Sequence, residues 1–186
     1  MNERRIFPRK NLKKQKNTYA GRAKAINMTK LLIKQRVFSW TDTYDIYDEN
    51  EEPRYFVKGD FFTLGHRLHI YDHSTNQEIG MIQERLLTWL GKAEITVDGR
   101  IVSTITRKWS FIRPKYTIDY NGWQVEGDFL EWNYTIINSN GEQIAAIDKE
   151  LFHWGDTYAL TIRDDCDVQD VLILALTIDM LNCGQR

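Results

Sequence analysis

Cysteine, proline and long hydrophobic runs are scarce in this sequence of 186 residues. Its two cysteines, Cys166 and Cys183, are too few for a disulfide framework and lack C-x-x-C spacing, so we expect a reducing compartment. The longest apolar run, Val171–Leu181, is much shorter than the roughly 20 residues that span a bilayer, and the N-terminus lacks the apolar region of a signal peptide. We therefore predict a soluble, cytoplasmic protein without a transmembrane segment.

Recognisable catalytic motifs are also missing. The sequence contains no G-x-S-x-G elbow, P-loop, H-E-x-x-H or G-x-G-x-x-G, and no pair of carboxylates stands out. Three of the four histidines fall in His66–His73. On a strand, His69 and His73 would face one way and His66 the other, so they would not converge on a metal. We predict no catalytic residue, cofactor or metal; an enzyme of unrecognised type is a further alternative.

Charge is divided unevenly along the chain. Residues 1–27 carry nine Lys/Arg and one Glu, a net charge of +8, which leaves −9 for residues 28–186. The first segment shows no apolar periodicity and is typical of a flexible basic arm. It either binds a polyanion, such as a membrane surface or nucleic acid, or is a solvated tail, or precedes a true start at Met28. We predict one folded domain over residues 28–186.

Short runs rich in Ile, Val, Thr, Tyr and Trp begin at Lys30 and recur about every ten residues. They predict twelve strands, and Asp98-Gly99 and Asn121-Gly122 predict two-residue antiparallel hairpins. Residues 168–183 differ, because nine of the eleven residues in Val171–Leu181 are apolar and favour helix. A helix apolar on every side must be surrounded, so we place it inside the sheet.

Two stretches of the chain are similar to each other. VKGDFF at Val57 and VEGDFL at Val125 are each followed by a strand, an I-x-x-I pattern and a tryptophan. This shared order indicates an internal duplication into two six-stranded halves. Glycines at equivalent strand ends suit bends at a barrel rim better than a ligand motif used twice.

The order of these features resembles the LURP-one-related family, which has the tubby C-terminal-like fold. The resemblance rests on Lys30–Glu49 (KLLIKQRVFSWTDTYDIYDE), on VKGDFF with RLHIYD, and on the apolar helical end. It implies a closed twelve-stranded antiparallel barrel of two repeated halves around a central C-terminal helix. It also implies kinship with tubby proteins, which bind phosphoinositide headgroups, and with phospholipid scramblases. No lipid site of those relatives carries over residue by residue.

The best candidate for a surface site is the segment from Arg107 to Lys115, where four cations are interleaved with two aromatic side chains. Such a segment can hold a phosphate headgroup, or it can simply be a solvated loop. We expect a non-enzymatic binding or scaffold protein whose ligand is either an anionic phospholipid headgroup, bound peripherally at the membrane, or a protein partner. A lipocalin-like carrier conflicts with a helix filling the barrel. The oligomeric state is not predicted. The predicted ligand-binding residues are Arg107, Lys108, Trp109, Arg113 and Lys115.

Overall fold

A computed structural model describes residues 27–34, 43–60, 65–86, 91–108, 115–119, 121–128, 132–152, 155–163 and 168–183. These residues form twelve strands and one helix, as predicted. The elements are β1 (Met28–Lys34), β2 (Tyr44–Asp48), β3 (Pro53–Gly59), β4 (Arg67–Asp72), β5 (Glu78–Arg85), β6 (Lys92–Val97), β7 (Arg100–Lys108), β8 (Lys115–Ile118), β9 (Gln124–Asp128), β10 (Asn133–Ile137), β11 (Gln143–Phe152), β12 (Gly155–Arg163) and α1 (Val168–Cys183).

The strands form one antiparallel sheet in the order β8-β7-β6-β5-β4-β3-β2-β1-β12-β11-β10-β9. Chain neighbours pair along the sheet, and β1 pairs with β12 so that Met28 lies opposite Arg163. The strands β8 and β9 are the two ends of this order, and no ladder joins them among the described residues. The described residues therefore form an antiparallel sheet of twelve strands. A ladder between β8 and β9, which would close this sheet into the predicted barrel, is not seen among those residues.

The core is built around α1, which has the predicted bounds. Every side chain from Val171 to Leu181 is at most 5% exposed, including those of Thr177 and Asp179. The Thr177 hydroxyl donates to the carbonyl of Ile173 at 2.7 Å, which satisfies that hydroxyl within the helix. Because burial extends all round the helix, the sheet must curl around α1 and cannot cover one side alone.

Alternation along the strands separates an inner from an outer face. In β4, Leu68 and Ile70 are buried while Arg67 and His69 are only partly covered. In β5, a Cβ on Gly80 would lie 2.6 Å from Cδ1 of Ile173, so the missing side chain allows the helix to approach this strand. The inner face therefore packs on α1, and the outer face carries most of the polar residues.

The two similar stretches make corresponding pairings. Gly59 of the first stretch lies opposite Leu68, and Gly127 of the second stretch lies opposite Tyr134. The register also shifts just after Ile70 and just after Ile136, in the strands that follow the two stretches. The two glycines differ in backbone conformation, because Gly127 has a φ of 131° and Gly59 does not have a positive φ.

The predicted hairpin turns have the expected backbone. Asp98 and Gly99 have φ values of 49° and 72°, and Val97 pairs with Arg100 across them. Asn121 and Gly122 have similar φ values of 49° and 66°, although β8 and β9 on either side of them share no described ladder. Positive φ at both central residues is the signature of the type I′ turn, so the local turn chemistry was predicted correctly.

Candidate functional site

The ladder between β7 and β8 brings part of the predicted basic segment together. Lys108 lies opposite Lys115, and Arg107 lies opposite Tyr116. Like charges at directly opposed positions of an antiparallel pair repel each other. The strand β7 extends to Lys108, which is exposed. Trp109 and Arg113, the other predicted site residues, lie outside the described residues.

Arg107 occupies the inner face, together with the buried Ser103 and Ile105. Its backbone N–H donates to the carbonyl of Gly91 at 3.0 Å. A Cβ on Gly91 would lie 3.7 Å from Cδ2 of Leu181, so this end of β7 is close to the last turn of α1. Nη1 of Arg107 is buried and has no hydrogen-bond partner in the described part of the chain. The structure therefore places Arg107 and Lys108 on opposite faces of β7, and not in one exposed row.

Polar side chains line the inner face near this end of the helix. The Tyr116 hydroxyl bonds to Oδ1 of Asn182. Tyr134 is buried, and this burial raises its pKa well above the usual 10.0, with a further contribution from the charge of Asp179. Tyr134 consequently stays protonated at any physiological pH. The sequence alone indicated Asp179 only as a polar interruption in an apolar helix.

The three clustered histidines separate between the two faces. Nδ1 of His66 lies 2.5 Å from Oε2 of Glu84, which shares the inner face with the buried Ala93 opposite it. On the outer face, the two ring nitrogens of His69 lie 2.9 Å from Glu78 and 3.3 Å from Asp60. No group of three potential metal ligands occurs in the residues that the structure describes.

A second cluster, which sequence reasoning missed, crosses the outer face of four strands. Asp45, Phe56, Tyr71 and Glu78 are successive cross-strand partners from β2 to β5, and we call them the acidic–aromatic row. The rings of Phe56 and Tyr71 stack with centroids 4.8 Å apart. Nζ of Lys58 lies 5.0 Å from one centroid and 5.1 Å from the other. Burial and then the charge of Glu78 raise the pKa of Tyr71.

A pocket between β6, β7 and the first turns of α1 is lined mainly by Ile95, Val102, Ile173 and Leu174. Ser103 also lines it, and its buried hydroxyl has no partner among the described residues. The side chains of α1 from Val171 to Leu181 are buried, and the candidate binding groups described above lie at the surface and at the end of the sheet.

An antiparallel sheet curled around one apolar helix defines a distinct class of mainly β proteins. Within that class, the chain belongs to the LURP-one-related family, whose sequence profile matches residues 29–179. The predicted resemblance is thereby confirmed.

Two known proteins are similar to the chain over most of its length. The Bacillus subtilis (strain 168) protein YxjI, described as uncharacterized, is 33% identical over 155 residues, which are 83% of this chain and 94% of YxjI. The X-ray structure of an Arabidopsis thaliana protein superposes with a TM-score of 0.59 at 15% identity, covering 85% of this chain and 92% of that one. The second similarity shows a shared fold. No helix among the described residues is long and apolar enough to cross a membrane.

Proposed function

We propose that this protein is a non-enzymatic binding protein that contacts the phosphate of anionic phospholipid headgroups, peripherally at the cytoplasmic surface of a membrane. The contact is made at the end of the β7–β8 ladder by Lys108 and Lys115. Trp109 and Arg113, in the connection between these strands, complete the site. The observation that carries the proposal is the direct opposition of Lys108 and Lys115.

Two opposed lysines concentrate positive charge on a domain whose net charge from residue 28 onward is −9. Their mutual repulsion destabilises the free ladder, and an anion lying between them relieves it. Hydrogen bonds from lysine and arginine to phosphate oxygens are charge-assisted and are stronger than those between neutral groups.

The proposal includes a closed barrel of the tubby C-terminal-like type, formed by an internal duplication and related to the scramblase fold. The burial of α1 on every side supports closure of the sheet between β8 and β9. The matched pairings of Gly59 and Gly127, with the register shifts after Ile70 and Ile136, support the duplication. Closure would join the two edges beside the basic end of the ladder.

Co-sedimentation with liposomes tests the binding site. The full chain is mixed with phosphatidylcholine vesicles that contain or lack an anionic phospholipid, at low and at high salt. Lysine near an anionic surface contributes about 1 kcal/mol, so replacing Lys108 and Lys115 with Ser should weaken binding roughly 30-fold. A matched variant replaces the exposed Arg100 and Lys149 with Ser and has the same net charge. Absence of binding to anionic vesicles at low salt, or an equal loss in both variants, would contradict the proposal.

A protein-binding domain without a lipid role is the second candidate. The acidic–aromatic row favours it, because stacked rings with a nearby cation on an outer face are typical of a contact surface. Pull-down of a stoichiometric protein by the full chain, with no effect of added vesicles, would support this function over the first.

A further inference from the structure

The acidic–aromatic row lies in a stretch of the folded domain that has a net negative charge. Residues 43–78, which include β2, β3 and β4, contain eight Asp/Glu and three Lys/Arg, a net charge of −5. Glu49, Glu51 and Glu52, in the hairpin between β2 and β3, are exposed. A cationic partner would be attracted to this outer face.

The rings of the row already accept one ammonium group. Nζ of Lys58 lies 5.0 and 5.1 Å from the centroids of Phe56 and Tyr71, within the range of a cation–π contact. Carboxylates stand at both ends of the row, Asp45 beside Phe56 and Glu78 beside Tyr71. The arrangement suits a peptide segment rich in lysine and arginine, because each of its cations can contact either a carboxylate or an aromatic ring.

The same chain carries a segment of this chemistry. Residues 1–26 contain nine Lys/Arg and one Glu, and they directly precede β1. The strand β1 pairs with β2, and Leu31 lies opposite Asp48, so the hairpin of Glu49–Glu52 extends toward the start of β1. Strands are spaced about 4.8 Å apart, which puts Glu78 of β5 only about 19 Å across the sheet from β1. A segment of 26 residues can cover that distance several times over.

We propose that the basic segment 1–26 docks on the acidic–aromatic row and the adjacent β2–β3 hairpin of its own chain. Docking holds the lysines of the segment against carboxylates, which makes them less available to other polyanions. The segment then reaches a nucleic acid or a membrane only when that polyanion competes with the domain's own face. This proposal concerns a surface separate from Lys108 and Lys115, and it stands or falls independently of the lipid site.

Zero-length carbodiimide crosslinking of the full chain, read by mass spectrometry, tests the docking. Lysines 10, 13, 14 and 16 should couple to Glu49, Glu51, Glu52 or Glu78. The control carboxylates are Glu126 and Asp148, which are exposed on the other half of the sheet. Couplings to the face should exceed those to the controls several-fold at low salt and converge with them at about 1 M salt, where the screening length is about 3 Å.

Two further arms make the test decisive. Mixing isotopically light and heavy protein separates couplings within one chain from couplings between two copies. In a variant with Glu49, Glu51 and Glu52 replaced by Gln, the lysines should no longer couple to the acidic face more than to the control carboxylates. Glu78 is still present in this variant, so coupling to Glu78 should also fall. Couplings spread evenly over face and control carboxylates, or mainly between light and heavy chains, would overturn the proposal.

Discussion

Replacing Leu172 with Ala tests directly whether α1 is the core of the domain. Leu172 is 0% exposed, and the substitution removes three carbons from a fully enclosed site. At about 0.8 kcal/mol per methylene the transfer loss is about 2.4 kcal/mol, and the cavity left behind brings the expected loss of unfolding free energy to about 3–4 kcal/mol. For a domain of this size that corresponds to a fall in Tm of roughly 6–16 °C.

The matched control is the same substitution at Leu86, which is 50% exposed. Only about half of the transfer term applies there and no cavity forms, so we expect a loss of about 1 kcal/mol. Urea denaturation followed by the fluorescence of the six tryptophans gives both values, provided that the denaturant slope is unchanged. If the two variants differed by less than about 1 kcal/mol, the reasoning that the sheet encloses α1 would be refuted.

Three other substitutions test a close backbone contact and two shifted pKa values. Gly127→Ala puts a Cβ 2.5 Å from the carbonyl oxygen of Asn133, whereas a Cβ on Gly141 would meet no atom within 4 Å. Gly127→Ala should therefore lose clearly more unfolding free energy than Gly141→Ala. Equal losses in urea denaturation would show that the positive φ of both glycines, and not the close contact, decides the cost. The hydrogen bond from Arg85 lowers the pKa of Glu94, so stability from this pair is present above the usual value of 4.5 and is lost as the pH falls through the lowered pKa. The stability deficit of Glu94→Gln should therefore be largest at neutral pH and shrink in acid, and a deficit independent of pH in urea titrations would contradict this. Burial raises the pKa of Tyr134, so stability is lost as the pH rises above 10.0, and Tyr134→Phe should unfold less readily in alkali than the native chain when followed by circular dichroism.

The helix and most strands could be predicted because their signals are local. Val171–Leu181 is apolar on every side, and Asp98-Gly99 has the residues that a type I′ turn requires. These features depend on residues that are neighbours in sequence. Strand starts were displaced by only a few residues, as at β1, which begins at Met28 and not at the predicted Lys30.

The candidate sites depend on register, which the sequence pattern does not contain. The acidic–aromatic row exists only because Asp45, Phe56, Tyr71 and Glu78 fall opposite one another. The register shift just after Ile70 decides that Tyr71 meets Glu78. A displacement by one residue would send those side chains to the other face. No counting of residues along one strand could have located the row.

The alternation of side chains along a strand explains why Arg107 lies on the inner face and not in an exposed segment. The sequence suggested a continuous basic loop, in which all four cations would face solvent. Because β7 continues through Lys108, the period of two turns Arg107 inward and leaves Lys108 outside. Whether a cation belongs to a loop or to a strand end decides which face it reaches.

The position of α1 after every strand has a consequence for biosynthesis. The ribosome makes the twelve strands before the helix that fills the space between them. A growing chain therefore displays its apolar inner faces, such as Ile46, Val57 and Ile70, with nothing to cover them. The pairing of β1 with β12 likewise waits until most of the chain has emerged. The core can therefore be completed only after α1 has been made, and until then the exposed apolar faces favour aggregation.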